Sequence, residues 1–314
     1  MLYILLFILC ILLFIFGMMI IRFGLFNLSA KNLKTWLIKL TKTPFKGMLT
    51  GTFITALLQS SSAVMVITIG LISAKIMTFP QSIGIILGTN IGTTFKTELI
   101  TFNLDTILMP LAITGAFLIL FPNKKSRSIG MLLLGIASVF TAMKGFEMLA
   151  QPLTSMGFIH SFILSINDNI LLSLITGAII TAIIQSSTAM TGITMGFLTA
   201  GLLQLDAGIA IVLGANIGTC ITAVIASVGG GAESRLAAFA HVWLNVFGVL
   251  VFIPLIPFLT MYAPLLASRV EVQLAHISVI FNVVSSLMVL PFANKFGEMI
   301  LFLHDRRPRN PVVK

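Results

Sequence analysis

Long apolar runs separated by short polar breaks set the pattern of this chain. The first spans Leu2 to Ile21. Others cover Gly47–Ala74, Ile83–Thr101, Thr106–Phe121, Ser128–Met148, Leu172–Ala200, Ala207–Val228, Leu236–Phe258 and Leu274–Leu303. Several reach the roughly 20 residues with which a helix crosses a hydrocarbon core. The pattern predicts an all-α polytopic membrane protein. The opening run lacks a basic leader and a small-residue cleavage site, and Arg22 follows it, so it reads as a retained helix.

Composition removes the soluble alternative. Of 314 residues 58% are hydrophobic and 9% charged, whereas soluble domains carry roughly 25% charge. The net charge of +10 sits mostly in short loops, where it reports membrane topology rather than nucleic-acid binding. Cys10 and Cys220 lie in separate apolar runs and offer neither metal spacing nor a disulfide framework.

Two stretches align without a gap, Gly51–Thr94 and Gly177–Cys220, at a constant offset of 126 residues with 20 of 44 positions identical. The matches include Thr55, Gln59, Ser60, Ser61, Thr68, Asn90 and Thr93, which shared hydrophobicity alone does not produce. Each copy carries a Gln-Ser-Ser element inside an apolar run: Gln59-Ser60-Ser61-Ser62 and Gln185-Ser186-Ser187-Thr188. A straight helix tolerates serines, and small polar residues also pack helices together. The alternative is a re-entrant hairpin of two half-helices with the serines at its tip. The next run, with Gly88–Thr94 or Gly214–Cys220 at its centre, reads as a transmembrane helix broken at its glycines.

With one broken and two plain helices per copy, the copies insert in opposite senses and form inverted repeats. Charge placement agrees. Lys31, Lys34, Lys39, Lys42, Lys46, Lys75, Lys124, Lys125, Arg127, Arg235, Arg306, Arg307, Arg309 and Lys314 fall on one side, taken as cytoplasmic. Loops near Asn103–Asp105, 151–169 and Asp206 hold no Lys or Arg; Lys144 and Arg269 dissent. The expected organisation is an N-terminal helix and basic linker (1–46), repeat one (47–148), an extracytoplasmic connector (149–171), repeat two (172–303) and a cytoplasmic tail (304–314). The N-terminus is then outside and the C-terminus inside.

Chemically, each tip precedes a helix start, where free amides and the positive dipole end favour an anion. Hydroxyls of Ser60, Ser61, Ser62, Ser186, Ser187 and Thr188 add donors from two sides. No Arg or Lys lies in either motif, so a mobile cation must offset the anion. Oxygens of Gln59, Gln185, Asn90, Asn216, Thr93 and Thr219 suit a small hard cation such as Na+. Lys96 and Glu98 read as a structural or snorkelling pair, and Lys144 and Glu147 as helix-end residues. His241 and His276 read as satisfied core histidines rather than catalytic groups.

QSSSA and QSSTA, each followed by GTNIGT or GANIGT, closely resemble the type II sodium-dependent phosphate cotransporters. The resemblance covers at least Gly47–Val228. It implies sodium-coupled movement of inorganic phosphate, with Ser60, Ser61, Ser62, Ser186, Ser187 and Thr188 on phosphate. Gln59, Gln185, Asn90, Thr93, Thr94, Asn216 and Thr219 are the implied sodium or site-shaping positions. Thr188 and Cys220 depart from the first copy's Ser62 and Thr94; the cysteine puts a cation contact in doubt.

Similarity to dicarboxylate carriers implies elevator motion, and the short tail predicts that no PhoU-like domain follows. The partners implied are phosphate, Na+ and the bilayer of the cell (inner) membrane, with no nucleic acid and no cofactor beyond the coupling ion. A homodimer remains open. Competing functions are a carrier of another oxyanion, a phosphate exporter, and an intramembrane serine hydrolase using His241 or His276; the expectation is a non-enzyme.

Overall fold

The computed structural model describes residues 1–29, 36–37, 40–41, 43–102 and 104–304, and it is helical with no strand among them. In order, α1 is Leu2–Ser29, α2 Pro44–Leu58, α3 Ser61–Ser73 and α4 Phe79–Leu99. A single 3-10 turn leads into α5 (Leu108–Ile119), followed by α6 (Lys124–Thr154), α7 (Gly157–Asp168), α8 (Ile170–Ile184), α9 (Ser187–Thr199) and α10 (Leu205–Ser227). The chain continues with α11 (Gly231–Phe252), α12 (Ile256–Tyr262), α13 (Val270–Val289) and α14 (Ala293–His304). Five spans among the described residues are long and apolar enough to cross a membrane, or six if α7 and α8, bent by 118°, count as one. Large apolar side chains cover the outside: Met109, Ile113, Phe117, Met261 and Leu265 are all exposed. Such a surface is stable against lipid, not water. The protein is a multi-pass membrane protein.

Both Gln-Ser-Ser elements sit at hairpin turns. Asn167 at the start of the second hairpin closes on its far end, donating from Nδ2 to Leu202 O (3.0 Å) and accepting from Gln204 N–H (2.9 Å). In the first hairpin, α3 returns towards the start of α4. There Ser234 Oγ donates to Ile69 O (3.4 Å), and the neighbouring Glu233 accepts from Phe79 N–H (3.2 Å).

The expected helix breaks at Gly88–Thr94 and Gly214–Cys220 are absent: α4 and α10 are continuous through them. The glycines serve close packing instead. A Cβ on Gly88 would lie 2.1 Å from Met48 O, and one on Gly92 2.5 Å from Thr55 Cβ. In the second copy a Cβ on Gly214 would lie 1.9 Å from Leu174 O, and one on Gly218 2.3 Å from Ala178 O. Small residues every fourth position let two backbones approach in lipid, where apolar burial alone gives little drive. The contact order rises together along both helices, so α2 runs parallel to α4 and α8 parallel to α10.

The two glycine-rich helices run in opposite directions. α4 begins beside Glu233 at the start of α11, and α10 ends at Ser227, just before α11 begins. α1 and α6 are antiparallel too, with Gly17 against Gly135 and Gly24 against Ser128. One apolar core gathers α1, α6 and the second hairpin around Phe14 and Phe146. A second surrounds the first hairpin with the beginning of α11 and with α14. The segment 149–171 contains the end of α6 and all of α7.

Candidate functional site

At each tip one residue leaves the helix in the left-handed region. Gln59 (φ 51°, ψ 32°) ends α2, and Gln185 (φ 55°, ψ 30°) ends α8. This conformation disfavours side chains with a Cβ, and both equivalent glutamines adopt it where their helices end. The following serine caps the next helix: Ser60 Oγ accepts from Ala63 N–H (3.1 Å) and Ser186 Oγ from Ala189 N–H (3.2 Å). Each capping hydroxyl accepts with its oxygen and keeps its proton to donate. The amides of Ser61, Ser62, Ser187 and Thr188 stand in the first turns, ahead of any intrahelical acceptor. Each tip therefore presents donors and a helix N-terminus, the equipment for an oxyanion.

Beside the tips the balance reverses. Thr93 Oγ1 donates to Thr89 O (2.8 Å), Thr94 Oγ1 to Ile91 O (2.7 Å), Thr219 Oγ1 to Ala215 O (2.9 Å) and Asn216 Nδ2 to Val212 O (2.8 Å). Their protons are used within the helix, leaving their oxygens free to accept. Gln59 Nε2 is likewise spent on Ala56 O (2.6 Å). Thr55 and Thr181, equivalent residues one turn before the tips, are fully buried with hydroxyls that have no partner among the described residues.

Asn245 on α11 joins the copies, and the sequence reading missed it. It accepts from Asn90 Nδ2 (3.1 Å) and donates to Cys220 Sγ (3.3 Å) and His241 O (2.9 Å). It thereby ties the Asn90 segment of α4 to its counterpart on α10, which runs the other way. An asparagine inside an apolar helix was the available signal; its partners are set by the fold. Further cross-links come from packing. α3 rests on α10, and α9 touches α4 and packs on α13.

Several expectations change. Lys96 and Glu98 do not pair: Glu98 Oε1 lies 2.8 Å from His276 Nδ1, whereas Lys96 is buried elsewhere. Residues two apart on a helix face apart. His276 is thus half-buried and within hydrogen-bond distance of Glu98 rather than a core histidine, and His241 is buried with an Nδ1 that has no partner among the described residues. Neither bonds a motif serine. Lys144 lies within α6, not at its end, and pairs with Asp105 (3.0 Å). Arg269, which also reaches the carbonyl of Thr101, pairs with Glu271 (3.0 Å). Both dissenting basic residues are thus neutralised where they lie. Lys31, Lys34, Lys39, Lys42, Asn103 and the basic tail residues lie outside the described residues.

The Na+/Pi-cotransporter family matches the chain in two segments, residues 13–148 and 151–290. The chain belongs to the Na+/Pi-cotransporter family. It is therefore a member of a phosphate-transporter family, as its two tips suggest. Among relatives, it is 38% identical to the uncharacterized protein YqeW of Bacillus subtilis over 90% of this chain and 92% of that one. It is 25% identical to Escherichia coli YjbB, put forward by name as an inorganic phosphate export protein, over 87% of this chain and 51% of that protein. It spans only about half of YjbB. A shorter match, 34% identical over 40% of this chain and 19% of the relative, is to the human sodium-dependent phosphate transport protein 2B. No solved structure matches the chain.

Proposed function

We propose that this Na+/Pi-cotransporter relative carries inorganic phosphate across the cell (inner) membrane coupled to Na+, with one phosphate held between the two hairpin tips. The carrying observation is the division of hydrogen-bonding capacity. Donors remain at Ser60, Ser61, Ser62, Ser186, Ser187 and Thr188, while acceptor oxygens remain at Asn90, Thr93, Thr94, Asn216 and Thr219. Gln59 and Gln185 stand between the two sets. An anion takes the first set and Na+ the second, so each charge lowers the cost of the other in a medium of low dielectric.

The two copies act as inverted repeats with re-entrant hairpins. The opposite directions of the equivalent helices α4 and α10 support this reading. The N-terminus is then outside and the C-terminus cytoplasmic, with Lys46, Lys75 and Arg235 on the inner side. Substrate passes by elevator motion: the hairpins with α4 and α10 move as one body against the remaining helices. Crosslinks between these two groups that left transport intact would argue against it.

Labelled phosphate uptake into proteoliposomes, under an imposed sodium gradient and separately under a proton gradient, tests coupling. Uptake driven by sodium alone is expected; uptake driven equally by protons would remove the sodium assignment. Export is the second reading, favoured by the similarity to YjbB along most of this chain. Efflux from phosphate-loaded vesicles, with external sodium absent, distinguishes it.

A further inference from the structure

A chamber of about 420 Å3 opens between α1, α2, α4 and α6, lined by Met18, Gln59, Lys96, Leu99, Phe102 and Val139 among others. Apart from two polar side chains, Gln59 and Lys96, its walls are almost wholly apolar. Lys96, 7% exposed, has an ammonium with neither a hydrogen bond nor a carboxylate among the described residues. The nearby acid, Glu98, is committed to His276. A cation without a carboxylate partner at an intramembrane cavity is costly, and such a site is filled by something negative. Leu99 and Phe102 are exposed, so the chamber is open at its rim towards the lipid side.

We infer that this chamber binds an anionic phospholipid, its phosphate on Lys96 and an acyl chain along the apolar wall. The size falls within the roughly 300–1,000 Å3 of pockets that enclose a small ligand or chain segment. Free phosphate fits poorly, because apolar walls offer it no replacement for its hydration shell. Basic pockets between transmembrane helices recognise anionic head groups for the reason at work here, charge at the rim and hydrocarbon inside. Lys96 lies in the last turn of α4, close to Thr101, whose carbonyl Arg269 reaches from the start of α13, and a head group can reach it there. Copy two has Thr222 at the equivalent position, its hydroxyl satisfied by Thr219 O at 2.9 Å, so the site belongs to copy one alone. Because Gln59 forms part of the wall, the lipid would brace the first hairpin tip.

The test is lipid retention by purified, delipidated protein, measured by native mass spectrometry with phosphatidylglycerol, phosphatidylcholine or inorganic phosphate. Wild type is expected to prefer phosphatidylglycerol over phosphatidylcholine by about tenfold, the value of one charge-assisted contact. Lys96→Met should erase that preference without lowering the thermal midpoint of the delipidated protein, since it removes a buried charge that has no partner. Lys96→Arg should keep the preference, and Ile136→Trp, which fills the chamber, should abolish binding of both lipids. An unchanged preference in Lys96→Met would overturn the inference. So would displacement of phosphatidylglycerol by inorganic phosphate, which would place Lys96 on the free-anion path instead.

Discussion

The two hairpin tips are alike in backbone and unlike in surroundings. Both turn through a left-handed glutamine and both cap the next helix with serine at nearly the same distance. Yet Gln59, Ser60 and Ser61 are buried at 8%, 2% and 7% exposure, whereas Gln185 is exposed and Ser186 and Ser187 are half-buried. The difference separates two levels of control. A short motif sets the local turn wherever it is placed, while the helices packed around it decide whether the tip is covered. In this structure the Gln59–Ser61 turn is covered by its neighbours, whereas the Gln185–Ser187 turn is more open.

If the packing beneath the tips is duplicated as the tips are, the largest effects should be equal in both copies. Gly88→Val and Gly214→Val each force a side chain into a carbonyl of the neighbouring helix. Overpacking a tight contact costs roughly 1–3 kcal/mol or more. Both variants should lose monodisperse protein on size exclusion in detergent; survival of one alone would show that the copies do not pack alike.

Next in size are Ser61→Ala and Ser187→Ala. Each removes a donor to a charged ligand, worth roughly 1.5–3 kcal/mol, so the phosphate concentration for half-maximal transport should rise about ten- to a hundredfold. Wild-type phosphate dependence in either variant would break the shared site. Asn245→Leu should cost less. It leaves Asn90 and Cys220 without their common partner, and loss of a buried hydrogen bond costs about 1–3 kcal/mol. A thermal melt that fails to fall would remove Asn245 as the tie between copies.

The smallest effect sharpens the contrast between the tips. Glycine relieves the left-handed conformation by about 1 kcal/mol. Gln185→Gly should therefore raise the melting temperature. Gln59→Gly should change it little, because that side chain also bonds Ala56 O at 2.6 Å. Equal shifts in the two variants would mean that the tip environments do not differ energetically.

The sequence was legible where the chemistry is local. Ser60 and Ser186 are helix caps by type and position, and repetition at a fixed offset exposed the two hairpins. It misled where one residue type serves two purposes. Glycines such as Gly88 and Gly92 fit a broken helix or a packed one equally well, and only the facing α2 backbone decides. Lys96 and Glu98 are two residues apart and so point apart on the helix, a conclusion helical spacing alone supports. The partners of Asn90 and Glu98 lie 155 and 178 residues away, beyond what any local pattern records.

The most direct test places single cysteines at Ser61 and Ser187 in a protein without Cys10 and Cys220, and follows labelling by a membrane-impermeant thiol reagent from each side. Two tips closing on one anion predict reaction of the two cysteines from opposite faces, with phosphate plus Na+ protecting both. Labelling of both from the same face, or protection of only one, would contradict the account.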